Sequence, residues 1–211
     1  MATFIYLLRH GETQWNRDSR IQGQLDIRLS ERGIQQAELL STRLAAVSLK
    51  AVYSSDLSRA HATATIVARP HAIEVRPAPE FREINFGAWQ GLGWEEVDAL
   101  YPGSRERLRG DPENARPPGG ESWPEVANRV MVGLERLALE CADGRVAVVT
   151  HGGTGRMAVC SVLGVDVKLR WKIRMDNTAI TILARDDGEW RVECLNDTCH
   201  LAGALHSDLD D

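Results

Sequence analysis

Short apolar runs divide the chain at regular intervals. TFIYLL (residues 3–8), AVYSS (51–55) and RVAVVT (145–150) are brief and rich in β-branched or aromatic residues, the pattern of buried strands. Between the first two, Ile34, Ala37, Leu40, Leu44 and Val47 recur at helical spacing behind Ser30, a residue suited to capping a helix. LSRAHATATIVA (57–68) predicts a second helix, stopped before Pro70. A longer one begins at Trp123 and runs toward Gly144, and TGRMAVCSVL after His151 predicts another, closed by Gly164. NTAITILAR and EWRVECL flank "DDG", a hairpin signal.

Strand, helix, strand, helix, then strand and helix again, with a late hairpin, predict a three-layer α/β/α sandwich around a mostly parallel sheet. Residues 82–122 break that rhythm. They hold Gly87, Gly91, Gly93, Pro102, Pro112, Pro117 and Pro118, with only short helical patches such as GWEEVDALY. Long irregular excursions in compact domains are usually functional or disordered. The expectation is therefore one domain over 1–211, with 82–122 as a flap over the C-terminal edge of the sheet.

Composition narrows the function classes. With 211 residues, 43% hydrophobic and 26% charged, the chain can build a core without disulfide staples. Its 25 basic and 30 acidic residues leave a net charge of −5, so no overall field draws nucleic acid or an anionic membrane. No stretch approaches the roughly 18 apolar residues of a spanning helix. No basic region precedes the first apolar run, and a cytoplasmic location is expected. Cys194, Cys199 and His200 lie close together, but their spacing fits no common zinc pattern; no metal is expected.

In open parallel sheets, ligands bind beyond the carboxyl ends of the strands. Arg9 and His10 follow the first strand, Arg59 opens the helix after AVYSS, and His151 follows AVVT. Singly, each has an ordinary structural explanation. Together, three separate segments deliver two arginines and two histidines to one edge. Arginine forks suit phosphate oxygens, and backbone N–H groups near Gly152 and Gly153 add donors. There is no GxxxxGK[ST] loop and no aspartate cluster for magnesium, so side chains alone must neutralise the phosphoryl group.

Imidazole is a nucleophile when one ring nitrogen is unprotonated, and nearby arginines favour that form. The second histidine can then donate to the equatorial oxygens. The departing alcohol needs a proton, which a carboxyl raised in pKa beside a phosphate dianion can supply. Glu83 opens the flap in "FREINFGAWQGL", although sequence distance alone leaves Glu80, Glu83, Glu95 and Glu96 open.

These residues resemble the histidine phosphatase superfamily, in its phosphoglycerate mutase-like branch with an Arg-His-Gly signature. The matches are LLRHGETQWN (7–16), LSERGIQQA (29–37), YSSDLSRAHATA (53–64), FREINFGAWQG (81–91), PPGGES (117–122) and VVTHGG (148–153), in the family's order over nearly the whole chain. The resemblance implies that His10 is phosphorylated, that Arg9, Arg59 and His151 bind the phosphoryl group, and that Glu83 is the proton donor. It further implies Asn16 as a phosphate contact, Gln22 and Gly23 at the pocket rim, Gly152 as a backbone donor, and a homodimer.

The family's phosphatases and mutases share these residues. Its mutases are typically longer, with a larger insertion after the acid and a paired-arginine grip on the substrate carboxylate. The compact YPGSRERLRGDPENARPPGGES here favours a phosphatase of small phosphorylated metabolites, needing no cofactor. A phosphoglycerate mutase and a non-catalytic phospho-ligand binding protein are the alternatives. Arg105 and Arg109, four apart in the flap, either form a solvated face balanced by Glu106 and Asp111 or reach a substrate carboxylate, as on a phosphoglycerate derivative. Trp89, Trp94 and Tyr101 either wall that substrate or pack the flap onto the core.

Overall fold

The computed structural model describes residues 2–201; Met1 and 202–211, the ends of the expected single unit, lie outside the described residues. The chain runs β1 (Thr3–Arg9), α1 (Gln14–Arg17), α2 (Glu31–Leu44), β2 (Ala51–Ser54), α3 (Ser58–Ala68) and β3 (Val75–Pro77). It continues through α4 (Trp94–Leu100), α5 (Ser104–Gly110), α6 (Trp123–Glu140), β4 (Arg145–Thr150), α7 (Gly152–Leu163), β5 (Ile180–Asp186) and β6 (Glu189–Asp197). The six strands form one sheet in the order β3-β2-β4-β1-β5-β6. The first four are parallel and the final hairpin is antiparallel, so the sheet is mostly parallel.

Alternation along the strands makes the two outer layers. In β4, Val146 and Val148 face one side with Ile5 and Leu7, where α6 supplies Val126, Val130, Leu134 and Leu137. Ala147 and Val149 face the other with Leu8 and Val52, where α2 and α3 supply Leu40, Leu44, Ala60, Ala64 and Val67. This is the period-2 logic of a strand buried on both faces. Ser30 caps α2 by accepting from the Gly33 amide, and Gly164 ends α7 in the left-handed region at φ 63°. Asp187 and Gly188 both take positive φ at the hairpin tip, as the tight β5–β6 turn requires.

Three sequence expectations differ from the structure. Ile34 is 45% exposed, because the inner face of α2 at its N-terminus is taken by Gly33 and Gln36 instead. The edge strand β3 was not legible: three residues ending in proline are too short for periodicity, although an edge tolerates the missing N–H. Residues 82–122 are also more regular than their Gly and Pro content suggests. They contain α4 and α5, and Trp89, Val97 and Leu108 are buried in the same cluster as the α6 residues. Trp89 is thus core, with Trp94 and Tyr101 packed partly buried against it.

One close approach fixes the loop after β1. A Cβ on Gly33 would overlap the Glu12 carbonyl, and one on Gly11 would overlap the Gly33 carbonyl. Glu12 is held there by Gln36, which accepts from its amide at 2.9 Å, while the Ser30 amide donates to its carbonyl at 2.9 Å. The substitution Gly33→Ala should therefore destabilise the protein by about 1–3 kcal/mol, despite alanine's higher helix propensity. Urea unfolding measures this; an unchanged or higher stability would contradict the packing.

Candidate active site

Strand register explains why two histidines meet. β1 and β4 are parallel neighbours with Arg9 opposite Thr150, so His10 and His151 leave the sheet side by side. The His10 amide donates to the Thr150 carbonyl at 3.0 Å, and the rings sit edge to face with centroids 5.1 Å apart. Both side chains are buried.

The His10 ring is held in one tautomer. Its Nδ1 lies 2.6 Å from the Gly11 carbonyl, which can only accept, so Nδ1 carries the proton and Nε2 keeps its lone pair. Burial, then the charges of Arg59 and Arg9, hold the His10 pKa well below the usual 6.5, overriding the opposing Gly11 hydrogen bond. Asn177 Nδ2 donates to the His10 carbonyl at 2.9 Å, fixing the backbone from the other side. His151 is also lowered, first by burial and then by Arg59. Its Nε2 is 2.9 Å from Ser55 Oγ, whereas its Nδ1 is buried without a partner.

Two guanidinium groups border the same space. Arg9 Nη1 donates to Met175 O at 2.6 Å; Arg59 donates to Leu25 O at 2.8 Å and to Gly23 O at 2.7 Å. Their Nε atoms are buried without a partner. Burial lowers both pKa values to about 10, which leaves both cationic at neutral pH. Arg156 lowers Arg9 further, while Glu83 pulls both arginines the other way. Gly152 lies against Arg9, its added Cβ meeting Nε at 3.5 Å.

Glu83 sits at the N-terminus of α7. One oxygen accepts from Gly153 N at 3.0 Å; the other accepts from Thr154 N at 3.0 Å, Thr154 Oγ1 at 3.2 Å and Ile84 N at 2.9 Å. The Gly153 amide is therefore bonded to Glu83. The other candidate acids lie elsewhere: Glu80 pairs with Arg136, Glu95 is exposed, and Glu96 accepts from Gly93 N at 2.7 Å.

Four supporting residues, Ser55, Arg82, Arg129 and Asn177, are not singled out by the sequence. Arg129 donates to the carbonyls of Glu80 at 2.8 Å, Arg82 at 2.7 Å and Glu83 at 3.1 Å, and is itself paired with Glu121 at 2.9 Å. It pins the turn that presents Glu83. An arginine in the middle of an amphipathic helix gives no signal of that role, whereas Ser55 lies inside the quoted YSSDLSRAHATA segment. Arg82 adds a forked ion pair to Asp56, joining the Glu83 turn to the loop before Arg59.

The remaining expected residues divide. Gln22 is buried with its Oε1 unpartnered, and Gly23, at φ 52°, offers the carbonyl that holds Arg59. Asn16 Oδ1 accepts from the amide and hydroxyl of Thr13 at 3.0 and 3.1 Å, so this oxygen caps α1. Arg105 donates to Asp98 at 3.0 Å and lies over the Trp94 ring at 5.0 Å, tying α5 to α4. Arg109 is exposed at the end of α5. The structure therefore gathers Arg9, His10, Arg59, Glu83, His151 and Gly152, but directs Arg105 away from them. Among the described residues, no group of three or more His, Cys, Asp or Glu side chains is placed to hold a metal ion.

The family model of the histidine phosphatase superfamily (branch 1) matches residues 5–198. The chain is 37% identical over 197 residues to phosphoserine phosphatase 1 of Hydrogenobacter thermophilus, covering 93% of each. It is 33% identical to the probable phosphoglycerate mutase GpmB of Erwinia tasmaniensis, covering 97% of this chain and 98% of the relative. Among solved structures, mycobacterial glucosyl-3-phosphoglycerate phosphatase in complex with VO3 superposes with a TM-score of 0.84 at 34% identity, over 92% of this chain and 99% of that one. The polar cluster at the strand ends thus lies in a chain that belongs to branch 1 of the histidine phosphatase superfamily.

Proposed function

We propose that the protein is a metal-independent phosphatase that hydrolyses phosphomonoesters of small metabolites through a phosphohistidine at His10. The observation that carries this reading is the His10 ring, buried and protonated on Nδ1, beside two arginines whose Nε atoms lack partners. Nε2 of His10 attacks phosphorus, forming an N–P bond as the P–O bond to the alcohol breaks. Arg9 and Arg59 hold the equatorial oxygens, where negative charge is distributed in the transition state. His151 adds a third donor through Nδ1, with Ser55 orienting the ring from Nε2. Glu83 gives the alcohol oxygen its proton. In the second half, water loses a proton to Glu83 and attacks phosphorus, the N–P bond breaks, and inorganic phosphate leaves.

A mutase would use the same first half and return the phosphoryl group to a different hydroxyl. The name of the GpmB relative favours testing it. Phosphate release from p-nitrophenyl phosphate without a bisphosphorylated primer supports the phosphatase. Isomerisation of 3-phosphoglycerate faster than phosphate release would overturn it.

His10→Ala should lower kcat by about a thousandfold or more and abolish the acid-labile, base-stable phosphoenzyme. Glu83→Gln should lower kcat about 10²–10⁴-fold for esters of poor leaving groups and less for aryl esters, since the latter need little protonation. Retention of full turnover by the His10 variant would refute the mechanism.

His10 titration supplies an independent check. A lowered imidazole pKa means the ring stays neutral until the pH falls well below 6.5, so the nucleophile is available throughout the neutral range. Ring nitrogen NMR should show a neutral, Nδ1-protonated His10 at pH 6.5, and the acid limb assigned to it in kcat/KM should lie below that value. A ring half-protonated at or above 6.5 would contradict the buried, arginine-flanked setting.

A further inference from the structure

We propose that Arg156 is a specificity-determining residue that reads a carboxylate on the leaving-group side of the substrate, an inference resting on the phosphatase reading above. The argument starts from where the leaving alcohol must lie. The proton donor Glu83 marks that side, and a Cβ on Gly153 would meet Glu83 Oε1 at 2.6 Å and Trp123 Cζ3 at 3.3 Å. The Trp123 ring and the Glu83 carboxyl therefore share one wall above the start of α7. Trp123 meets Trp171 edge to face at 6.1 Å, and the Arg156 guanidinium lies over Trp171 at 5.3 Å. The wall thus runs from the proton donor to a cation.

Helix geometry brings that cation back toward the phosphoryl pocket. Gly152, Gly153 and Arg156 lie within four residues on α7, so they share a face. Arg156 and Arg9 are moored to one short segment: Arg156 Nε donates to Ile173 O at 3.0 Å, and Arg9 Nη1 to Met175 O at 2.6 Å. Moorings two residues apart hold the two guanidinium groups to the same stretch of chain, as recognition of one small molecule carrying both a phosphate and a carboxylate requires. The mutual influence of the two cations is also visible in Arg9, whose pKa Arg156 lowers more than Arg59 does.

The choice of carboxylate follows from the donor. A guanidinium lying over an indole ring keeps its N–H groups at the edge of its plane, where a planar carboxylate is received in a fork. Trp171, 49% exposed, supplies the apolar backing. Arg105 and Arg109 then need play no part in recognition.

The test compares substrates that differ only by the carboxylate: O-phosphoserine against O-phosphoethanolamine, and 3-phosphoglycerate against glycerol 3-phosphate. The wild-type protein should favour the acid of at least one pair by about tenfold or more in kcat/KM. In Arg156→Gln that preference should fall at least tenfold, chiefly through KM for the acid, and Arg156→Lys should restore part of it. Thermal melting of each variant checks folding. A wild type indifferent to both carboxylates, or a folded Arg156→Gln protein that keeps its preference, would overturn the inference while leaving the phosphatase reading intact. Failure of the wild type to hydrolyse even p-nitrophenyl phosphate would overturn both.

Discussion

Two guanidinium groups, Arg59 buried and Arg9 partly buried, with no carboxylate in hydrogen-bond contact among the described residues, impose the strongest constraint on this molecule. Arg9 and Arg59 are held by the carbonyls of Met175, Leu25 and Gly23, which fix direction without neutralising charge. Burying a cation in this way is costly, and the lowering of both pKa values to about 10 records that cost. The arrangement is consistent with a site that leaves neutralisation to an anion from outside. The same charge, only partly offset by Glu83, acts on the neighbouring imidazoles, where a second positive charge would be penalised again. An edge that favours an anion and a pair of neutral imidazoles are thus two consequences of one electrostatic arrangement.

Holding those charges in register falls to the sheet. β1 and β4 are central, parallel and adjacent, so the residues that follow them leave the same edge at nearly the same height. The tight passage of Gly11 and Gly33 locks the loop after His10 onto the start of α2, and Asn177 grips the His10 carbonyl from the far side. An imidazole held by strand pairing, a glycine contact and a side-chain amide loses little entropy in keeping one fixed geometry.

What was legible in the sequence follows from how far each signal extends along the chain. The strands TFIYLL, AVYSS and RVAVVT and the helices between them announce themselves by local periodicity, and strand-end residues inherit a predictable location from the parallel topology. Arg9, His10, Arg59 and His151 were readable for that reason. Glu83 was not separable from Glu80, Glu95 or Glu96 by spacing alone, because its position depends on the α7 N-terminus, seventy residues away along the chain. Arg129 is harder still: its partners are three carbonyls of a turn with no periodicity. Within 82–122 the patch GWEEVDALY announced α4, whereas Gly and Pro at the boundaries of α5 mask the place of Leu108, whose burial is decided by the core it joins.

The site is consequently assembled from two kinds of structure. One half is made of strand ends and backbone carbonyls, where a small shift would disturb every donor at once. Beside it stand side chains on helices and short turns: Trp123 on α6, Arg156 on α7, and Trp171 in the turn beyond it. Of these Trp123 belongs to the core that packs on the sheet, whereas Trp171 is half-exposed and can change without disturbing it. Such a separation would let one arrangement of strand ends serve relatives named for different phosphate esters, with the backbone-held half kept and the outlying side chains exchanged.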